Sequence, residues 1–437
     1  MKVSIIGLGK LGMPMMAAIA SRGIEVIGVD IRDDLVKAIN AGECPTHEIG
    51  VSGMFFSHKA ILRAKSDVSE AVLEADASFI VVPTPLSTYQ QRFRNDALIE
   101  AVAAVGKVCK PGHLVVIVST VMPGTMQTVI KPLLPVGTLL AYSPEFIALG
   151  SVIRNLLNPD WVLIGEDSPE AGDQLEEFYK RVCLNNPPII RMNTINAEIA
   201  KLAQNCFVTT KISFANSLAE ICENVPGGDA RTVLKAIGHD QRVGAKALMP
   251  GLGFGGPCFP RDNIAFQSFA KEFGAGAPLA VATQAVNQFL PERIAKAISS
   301  RLEPHSTVAI LGAAYKPNTD VIEESHAVHI GIHLVGMGHT VRITDLLAMD
   351  KLKAEFRSVF FVVGTGAEAC TGASACVYGL PGYGGWMGEL AEWLLPPKLI
   401  IDPWDSMPAA GEDERFTYLA IGVGKNVDSS ERFRYDL

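Results

Sequence analysis

The stretch Val3-Ser4-Ile5-Ile6-Gly7-Leu8-Gly9-Lys10-Leu11-Gly12 decides how the first part of this chain folds. A short apolar run reads as a buried strand, and a GxGxxG pattern follows it directly and opens an apolar helix predicted over residues 11–21. In such a turn the first glycine permits the tight bend, the second lets backbone approach a pyrophosphate, and the third lets helix meet strand. The helix N-terminus then offers unpaired N–H groups and a positive dipole end to phosphate oxygens. Outward from this turn, a second apolar run over residues 24–29 ends at Asp30, placed to accept hydrogen bonds from a ribose diol. That carboxylate repels a 2′-phosphate and favours NAD, while Arg32 keeps NADP open. Met1-Lys2 followed by an apolar run to Ala18-Ile19-Ala20 imitates a secretory signal, but glycines interrupt it and no signal is read.

Further buried strands are predicted over residues 77–82, 114–118, 139–142 and 162–164, with helices over 97–109 and 168–181. This alternation predicts a doubly wound α/β domain over residues 1–193. Residues 195–223, 229–237, 263–273 and 278–301 read as helices with Gly-rich connections, giving a central helical domain over 194–302. Strand–helix alternation resumes beyond it, with strands predicted over 307–311, 340–344, 359–363, 375–380 and 399–401. Gly312-Ala313-Ala314 follows the first of these without a complete GxGxxG, so residues 303–437 are expected to form a second Rossmann-like parallel sheet without the dinucleotide fingerprint.

The chain has 437 residues, 48% hydrophobic and 19% charged, with a net charge of −8. It is long enough for two or three domains and too apolar for a disordered scaffold. The acidic balance and the lack of Lys/Arg runs argue against nucleic acid or an anionic membrane as partner. Apolar runs have strand length, too short for a bilayer. Eight cysteines (44, 109, 183, 206, 222, 258, 370 and 376) show no CxxC pair, which suits a reducing, cytoplasmic compartment.

One cysteine stands apart. In Gly251-Leu252-Gly253-Phe254-Gly255-Gly256-Pro257-Cys258-Phe259-Pro260-Arg261-Asp262, glycines allow close approach to a ligand and prolines stiffen the loop. A thiol beside a helix N-terminus and near Arg261 is expected to carry more thiolate, so Cys258 reads as a nucleophile and most of the other seven as structural. Asp262 is expected to cap the helix predicted from Asn263. Lys201 and Asn205 share one helical face at i and i+4, an ammonium and an amide suited to a developing oxyanion. Loops after predicted strands place Thr84 in Val82-Pro83-Thr84-Pro85, Thr120 in Ser119-Thr120-Val121-Met122-Pro123-Gly124-Thr125, and Glu145 in Ser143-Pro144-Glu145-Phe146. His326, His329 and His333 share a helical face, but no acid or thiol is spaced to complete a metal site; they read as packed or cofactor-facing, and no metal is expected. The stretch over residues 378–386 carries no assigned chemistry, and the helix over 278–301 reads as a connector and dimer seam.

Together these motifs resemble the UDP-glucose/GDP-mannose dehydrogenase family, its UDP-glucose 6-dehydrogenase branch in particular. Besides the blocks above, the resemblance rests on Pro144-Glu145-Phe146, Ile237-Gly238 with Asp240-Gln241-Arg242-Val243-Gly244, and Tyr315-Lys316-Pro317-Asn318-Thr319-Asp320. It implies a four-electron, NAD-dependent oxidation of a sugar C6 alcohol to a carboxylate. Cys258 would form a thiohemiacetal and then a thioester, with Lys201 and Asn205 stabilising oxyanions. Asp262 would act as base or position water, and Thr120 and Glu145 would assist hydrolysis. The resemblance also implies cofactor contacts at Gly7, Gly9, Leu11, Gly12, Asp30, Thr84, Thr120 and Arg261. Substrate contacts are implied at Glu145, Phe146, Ile147, Lys201, Asn205, Gly255 and Lys316, and Arg242 would reach the neighbouring subunit's site in a homodimer or larger homo-oligomer. Three positions depart from the family pattern: Leu149 replaces a carboxylate, Glu323 an arginine near the cofactor, and Pro403-Trp404 an arginine near the substrate. TDP-glucose, GDP-mannose or a UDP-N-acetyl sugar therefore stays open as substrate. Rival readings are a two-electron β-hydroxyacid dehydrogenase and a non-catalytic nucleotide-sugar-binding protein.

Overall fold

The computed structural model describes residues 1–46, 48–147, 149–382 and 387–424; residues 383–386 of the unassigned 378–386 stretch lie outside it. The chain divides into two compact units, Met1–Gln204 with Ser268–Gly274, and Asn205–Gln267 with Ala275–Leu437.

An eight-stranded sheet forms the first unit, in the order Ile189–Asn193, Val162–Glu166, Leu139–Tyr142, Leu114–Ile117, Ala77–Ile80, Val3–Ile6, Val26–Val29, Leu62–Lys65. Its central strands are buried along their whole length, as continuous Val/Ile/Leu runs require when helices cover both faces. The helix Gly12–Ala20 is buried at every position, which explains its lack of a polar face. Chain order reverses between Val3–Ile6 and Ala77–Ile80, the kind of switch point beside which open α/β sheets bind ligands.

Two features correct the sequence reading. Leu139–Tyr142 and Val162–Glu166 pair antiparallel, so the sheet is not wholly parallel. Leu62–Lys65 and Ile189–Asn193 are strands that no apolar run announced. Both are sheet edges, where Arg63, Lys65 and Arg191 pair with carboxylates of neighbouring elements and dilute the pattern.

The second unit joins helices to a six-stranded parallel sheet. The helices include Thr194–Glu223 from residue 205 on, Ala230–Gly238, Phe259–Glu272 up to residue 267, and Pro278–Ser299. The sheet runs Phe361–Val362, Thr340–Thr344, Thr307–Leu311, Ala375–Tyr378, Leu399–Asp402, Thr417–Ala420. This is the doubly wound order, with an edge strand, Thr417–Ala420, that the sequence did not signal. Here Asp345 occupies the place that Asp30 holds in the first sheet, at the end of the second strand. Its buried carboxylate accepts N–H bonds from Ala313 (2.7 Å), Ala314 (3.0 Å), Leu347 (2.8 Å) and Ala348 (2.9 Å). That acid is a structural cap with no capacity left for a ribose, which fits the missing fingerprint.

Among the described residues no helix is long and apolar enough to cross a membrane.

Candidate active site

In the first unit the glycine turn has the geometry its sequence requires. Gly7 adopts φ 98°, and a Cβ there would lie 2.7 Å from the Val81 carbonyl oxygen. A Cβ at Gly12 would lie 1.8 Å from the Gly7 carbonyl oxygen, so helix and turn close only around glycine. Gly9 differs: no heavy atom lies within 4 Å of a Cβ built there, the open approach that a pyrophosphate needs. Asp30 Oδ2 accepts the Leu8 N–H (2.9 Å), and Oδ1 accepts from Arg32 N (3.0 Å) and Nε (3.3 Å). The guanidinium that kept NADP open is thus turned onto Asp30.

The two neighbouring loops are stitched together. Thr84 Oγ1 donates to the Thr120 carbonyl (2.7 Å), and Ser119 Oγ donates to the Val82 carbonyl (2.6 Å). A group that sequence reading missed anchors the second loop: buried Glu198 accepts N–H bonds from Gly124 (2.7 Å) and Met126 (2.8 Å), at the start of the π-helical turn Met126–Ile130. An acid one helical turn before Lys201, in an apolar stretch, was its available signal. Burial pushes Glu198 up to about 7, against the pull of those two N–H groups.

Glu145 lies beside a small cavity lined by Met15, Ile19, Phe79, Phe178 and Tyr179, and its Oε1 accepts from Tyr179 Oη (3.4 Å). Burial raises this carboxyl to about 7, opposed by the Lys201 charge and the Tyr179 hydroxyl. Lys201 Nζ donates to the Glu145 carbonyl (2.8 Å) and stands 4.6 Å from the centre of the Phe146 ring. Phe146 in turn stacks on Trp161. Ile147 and Leu149 pack against the apolar core, so the first departure replaces an acid by a core contact.

A carboxyl raised from 4.5 to about 7 holds its proton more tightly folded than unfolded. The stability it contributes is therefore fully present below the unfolded value and is lost as pH rises through 7. Urea unfolding of the wild type should lose stability between about pH 4.5 and pH 7, and in Glu198→Gln that loss should shrink by on the order of 2 kcal/mol. An identical pH slope in both proteins contradicts this.

In the second unit Cys258 is exposed and directly precedes the helix Phe259–Glu272. This helix begins four residues earlier than expected, because Pro260 falls in its first turn, where an N–H is not needed. Asp262 is consequently not the N-cap. It lies in the first turn, fully buried, and its N–H bonds to the Cys258 carbonyl (2.8 Å). Asp262 Oδ2 accepts from Asn205 Nδ2 (2.6 Å), and Oδ1 from Arg261 Nε (3.2 Å). Of the other thiols, five are buried and two half-buried; Cys206, beside Asp262, is pushed up to about 12 by burial and the acid's charge.

The glycines ahead of Cys258 mark close approaches. A Cβ at Gly251 would strike the Trp404 ring, one at Gly255 the Glu324 carbonyl, and one at Gly256 the Tyr315 ring. Asn216 Oδ1, also missed in the sequence, accepts the Gly251 N–H (3.0 Å), and the Glu323 carbonyl accepts that of Gly256 (2.9 Å). Glu323 therefore serves the loop through its main chain. Lys316 Nζ stands 5.7 Å from the centre of the Tyr315 ring. The Pro403 carbonyl is held by Arg231 Nη2 (2.7 Å). Arg242, with its side chain 89% exposed, pairs with Asp240 (2.6 Å). His326 is buried, and no group of three His, Cys, Asp or Glu among the described residues is placed to hold a metal ion.

A dinucleotide turn of this geometry, followed by a helical segment with an exposed thiol and a second doubly wound sheet, defines a nicotinamide-dependent dehydrogenase. The chain matches three profiles of one family along its length: the NAD binding domain of the UDP-glucose/GDP-mannose dehydrogenase family over residues 1–183, its central domain over 195–289 and its UDP binding domain over 309–404. The chain belongs to the UDP-glucose/GDP-mannose dehydrogenase family. It is 34% identical to UDP-glucose 6-dehydrogenase AglM of Haloferax volcanii over 392 residues, 86% of this chain and 90% of that protein. It is 32% identical to GDP-mannose 6-dehydrogenase of Pseudomonas aeruginosa over 79% of this chain and 81% of that one. The solved structure of a UDP-glucose dehydrogenase from Pyrobaculum islandicum superposes with a TM-score of 0.85, at 28% identity and covering 97% of this chain and 98% of the other. The protein is thus an NAD-dependent nucleotide-sugar dehydrogenase.

Proposed function

We propose that the chain oxidises the C6 alcohol of UDP-glucose to the carboxylate, UDP-glucuronate, through a covalent thioester on Cys258. The observation that carries this is the contrast among thiols: one is exposed at a helix start beside a buried Asp262–Asn205 pair, while five of the others are buried. When bound, NAD supplies a hydride acceptor for each of the two oxidations. The Cys258 sulfur adds to the C6 aldehyde, and after the second oxidation the acyl group stays on sulfur until water displaces it and returns the thiol. Asn205 and Lys201 provide donors for the oxyanions of these steps. Asp262, held by Asn205 and Arg261, takes or directs the proton of the attacking water. Glu145, poised near neutral pH, and Thr120 support hydrolysis.

In the same reading Gly7, Gly9, Leu11, Gly12, Asp30, Thr84, Thr120 and Arg261 serve the dinucleotide. Phe146, Ile147, Gly255 and Lys316 serve the sugar nucleotide. The working domains are residues 1–193, 194–302 and 303–437. UDP-glucose is preferred because the relatives named for it include the 34% identical protein, whereas the GDP-mannose relative stands at 32%. Counting NADH released from UDP-glucose, TDP-glucose, GDP-mannose and UDP-N-acetyl sugars tests the proposal. Two NADH per sugar are expected with UDP-glucose. One per sugar removes the thioester, and turnover only with another sugar removes the substrate.

We also propose a homodimer. Phe207, Phe214 and Ile221, spaced by seven residues on one helix, are exposed at 66%, 53% and 60%. Val281 and Phe289 are exposed on Pro278–Ser299, a helix tied to the first by Thr210 and Ser213 bonds to Thr283. An apolar face of this kind on two adjacent helices suits a self-complementary interface, with Arg242 reaching the second subunit's site. Light scattering should report a dimer for the wild type and a monomer for Phe214→Glu; a monomeric wild type at micromolar concentration excludes the interface.

A further inference from the structure

The helix Pro278–Ser299 carries a proline in its interior, Pro291. Proline has no N–H, so the carbonyl four residues before it loses its helical partner. That carbonyl belongs to Asn287. Left buried and unpaired it would destabilise the helix. In this protein His326, the first residue of the helix His326–Gly336, supplies the missing donor: its Nε2 lies 3.0 Å from the Asn287 oxygen. The imidazole is buried, and burial lowers it to about 4 despite the pull of the Asn287 and Glu324 carbonyls, so the ring is neutral and has one N–H; the tautomer with that proton on Nε2 makes this bond.

The Asn287 side chain is engaged as well, and its partner is the loop that carries the thiol. Asn287 Oδ1 accepts the Phe254 N–H at 2.8 Å, and Asn287 Nδ2 donates to the Phe254 carbonyl at 2.8 Å. Both main-chain groups of one loop residue are therefore held by one carboxamide, four residues ahead of Cys258. Gly253 shows how close this approach is. It has φ +85°, and a Cβ there would lie 2.5 Å from Asn287 Oδ1 and 3.0 Å from His326 Nε2. Phe254 itself is buried and packs edge-on against Phe259, the residue after the cysteine.

We propose that Asn287 and His326 are positioning residues for the Cys258 thiol: the proline frees a carbonyl, the histidine fixes it, and the turn so locked lets the Asn287 carboxamide set the backbone before the nucleophile. This rests on the reading of Cys258 as nucleophile and adds how its place is defined. A thiol that must meet an aldehyde carbon in one orientation loses rate steeply when its backbone shifts by a fraction of an ångström. A change confined to this loop should therefore lower kcat while leaving the KM for NAD within about twofold, because the dinucleotide turn lies elsewhere in the chain.

Two measurements test this on the full-length protein: NADH release from UDP-glucose, and the rate at which iodoacetamide alkylates Cys258, followed by peptide mass analysis. Asn287→Ala should lower kcat by at least about tenfold and change the alkylation rate by several-fold. His326→Leu should move both in the same direction by a smaller factor. The decisive variant is His326→Leu combined with Pro291→Ala. The alanine restores an N–H four residues after Asn287, so the helix itself satisfies the carbonyl and both readouts should return towards wild type. His326→Gln, which keeps a donor, should also retain most of the rate. Wild-type kcat and alkylation in Asn287→Ala overturn the proposal. Loss in His326→Leu that Pro291→Ala leaves unrepaired overturns the role of the histidine, even if both variants melt lower. Should Cys258→Ser still release two NADH per sugar, the nucleophile reading fails instead, and the alkylation rates still decide separately whether Asn287 and His326 set the loop.

Discussion

Cys258→Ser is expected to lose at least about a thousandfold in carboxylate formation, while folding and NAD binding persist. A hydroxyl replaces a thiol whose ionised form is a far better nucleophile near neutral pH. The side chain is exposed, so the swap removes little packing. The buried contacts around it, Asp262 with Asn205 and Arg261, do not pass through the sulfur and should survive. NADH output per sugar should fall from two to one or fewer, and an acyl-enzyme trapped by acid quench should vanish from the mass spectrum. Undiminished conversion to the uronic acid would sink the thioester.

Gly12→Ala should have the second large effect, on the cofactor. The new methyl would be built 1.8 Å from the Gly7 carbonyl oxygen, a main-chain atom that cannot turn aside. Helix Gly12–Ala20 must then lift from the turn, and it is buried at every position, so its apolar contacts open as well. A cost of about 3 kcal/mol or more is expected, in the range of core overpacking. NADH affinity, followed by fluorescence quenching, should weaken by at least about a hundredfold. Gly9→Ala is the contrast. Its Cβ meets no protein atom, so the fold should keep its stability while the dinucleotide alone is hindered. Equal loss of stability in both variants would show that the two glycines do not have separate roles.

Much of the candidate site is legible because its signals are local. Gly7, Gly9 and Gly12 are legible because only glycine satisfies the turn, and Cys258 because its neighbours are glycines and prolines. The elements that sequence reading missed are of another kind. Glu198 and Asn216 are single polar residues on an apolar helix face, and their partners lie 72 to 74 and 35 residues away in sequence. The edge strands were missed because solvent on one side removes the apolar run. The start of the helix at Phe259 was misplaced because Pro260 reads as a breaker until its position in the first turn is known.

The sequence by itself determined two α/β sheets with a helical segment between them in the chain, a dinucleotide turn, and a glycine- and proline-rich loop about one cysteine of the eight, since each follows from periodicity or backbone constraint within about a dozen residues. Only the tertiary structure decided which polar groups hold the loops and what burial does to their charges. It turned Arg32 onto Asp30, raised Glu145 and Glu198 towards neutrality, and brought His326 to a carbonyl that Pro291 had left without a donor. The physical reason is one of range: conformational preference acts between near neighbours in the chain, whereas desolvation and hydrogen-bond satisfaction depend on whatever the folded chain packs against a group.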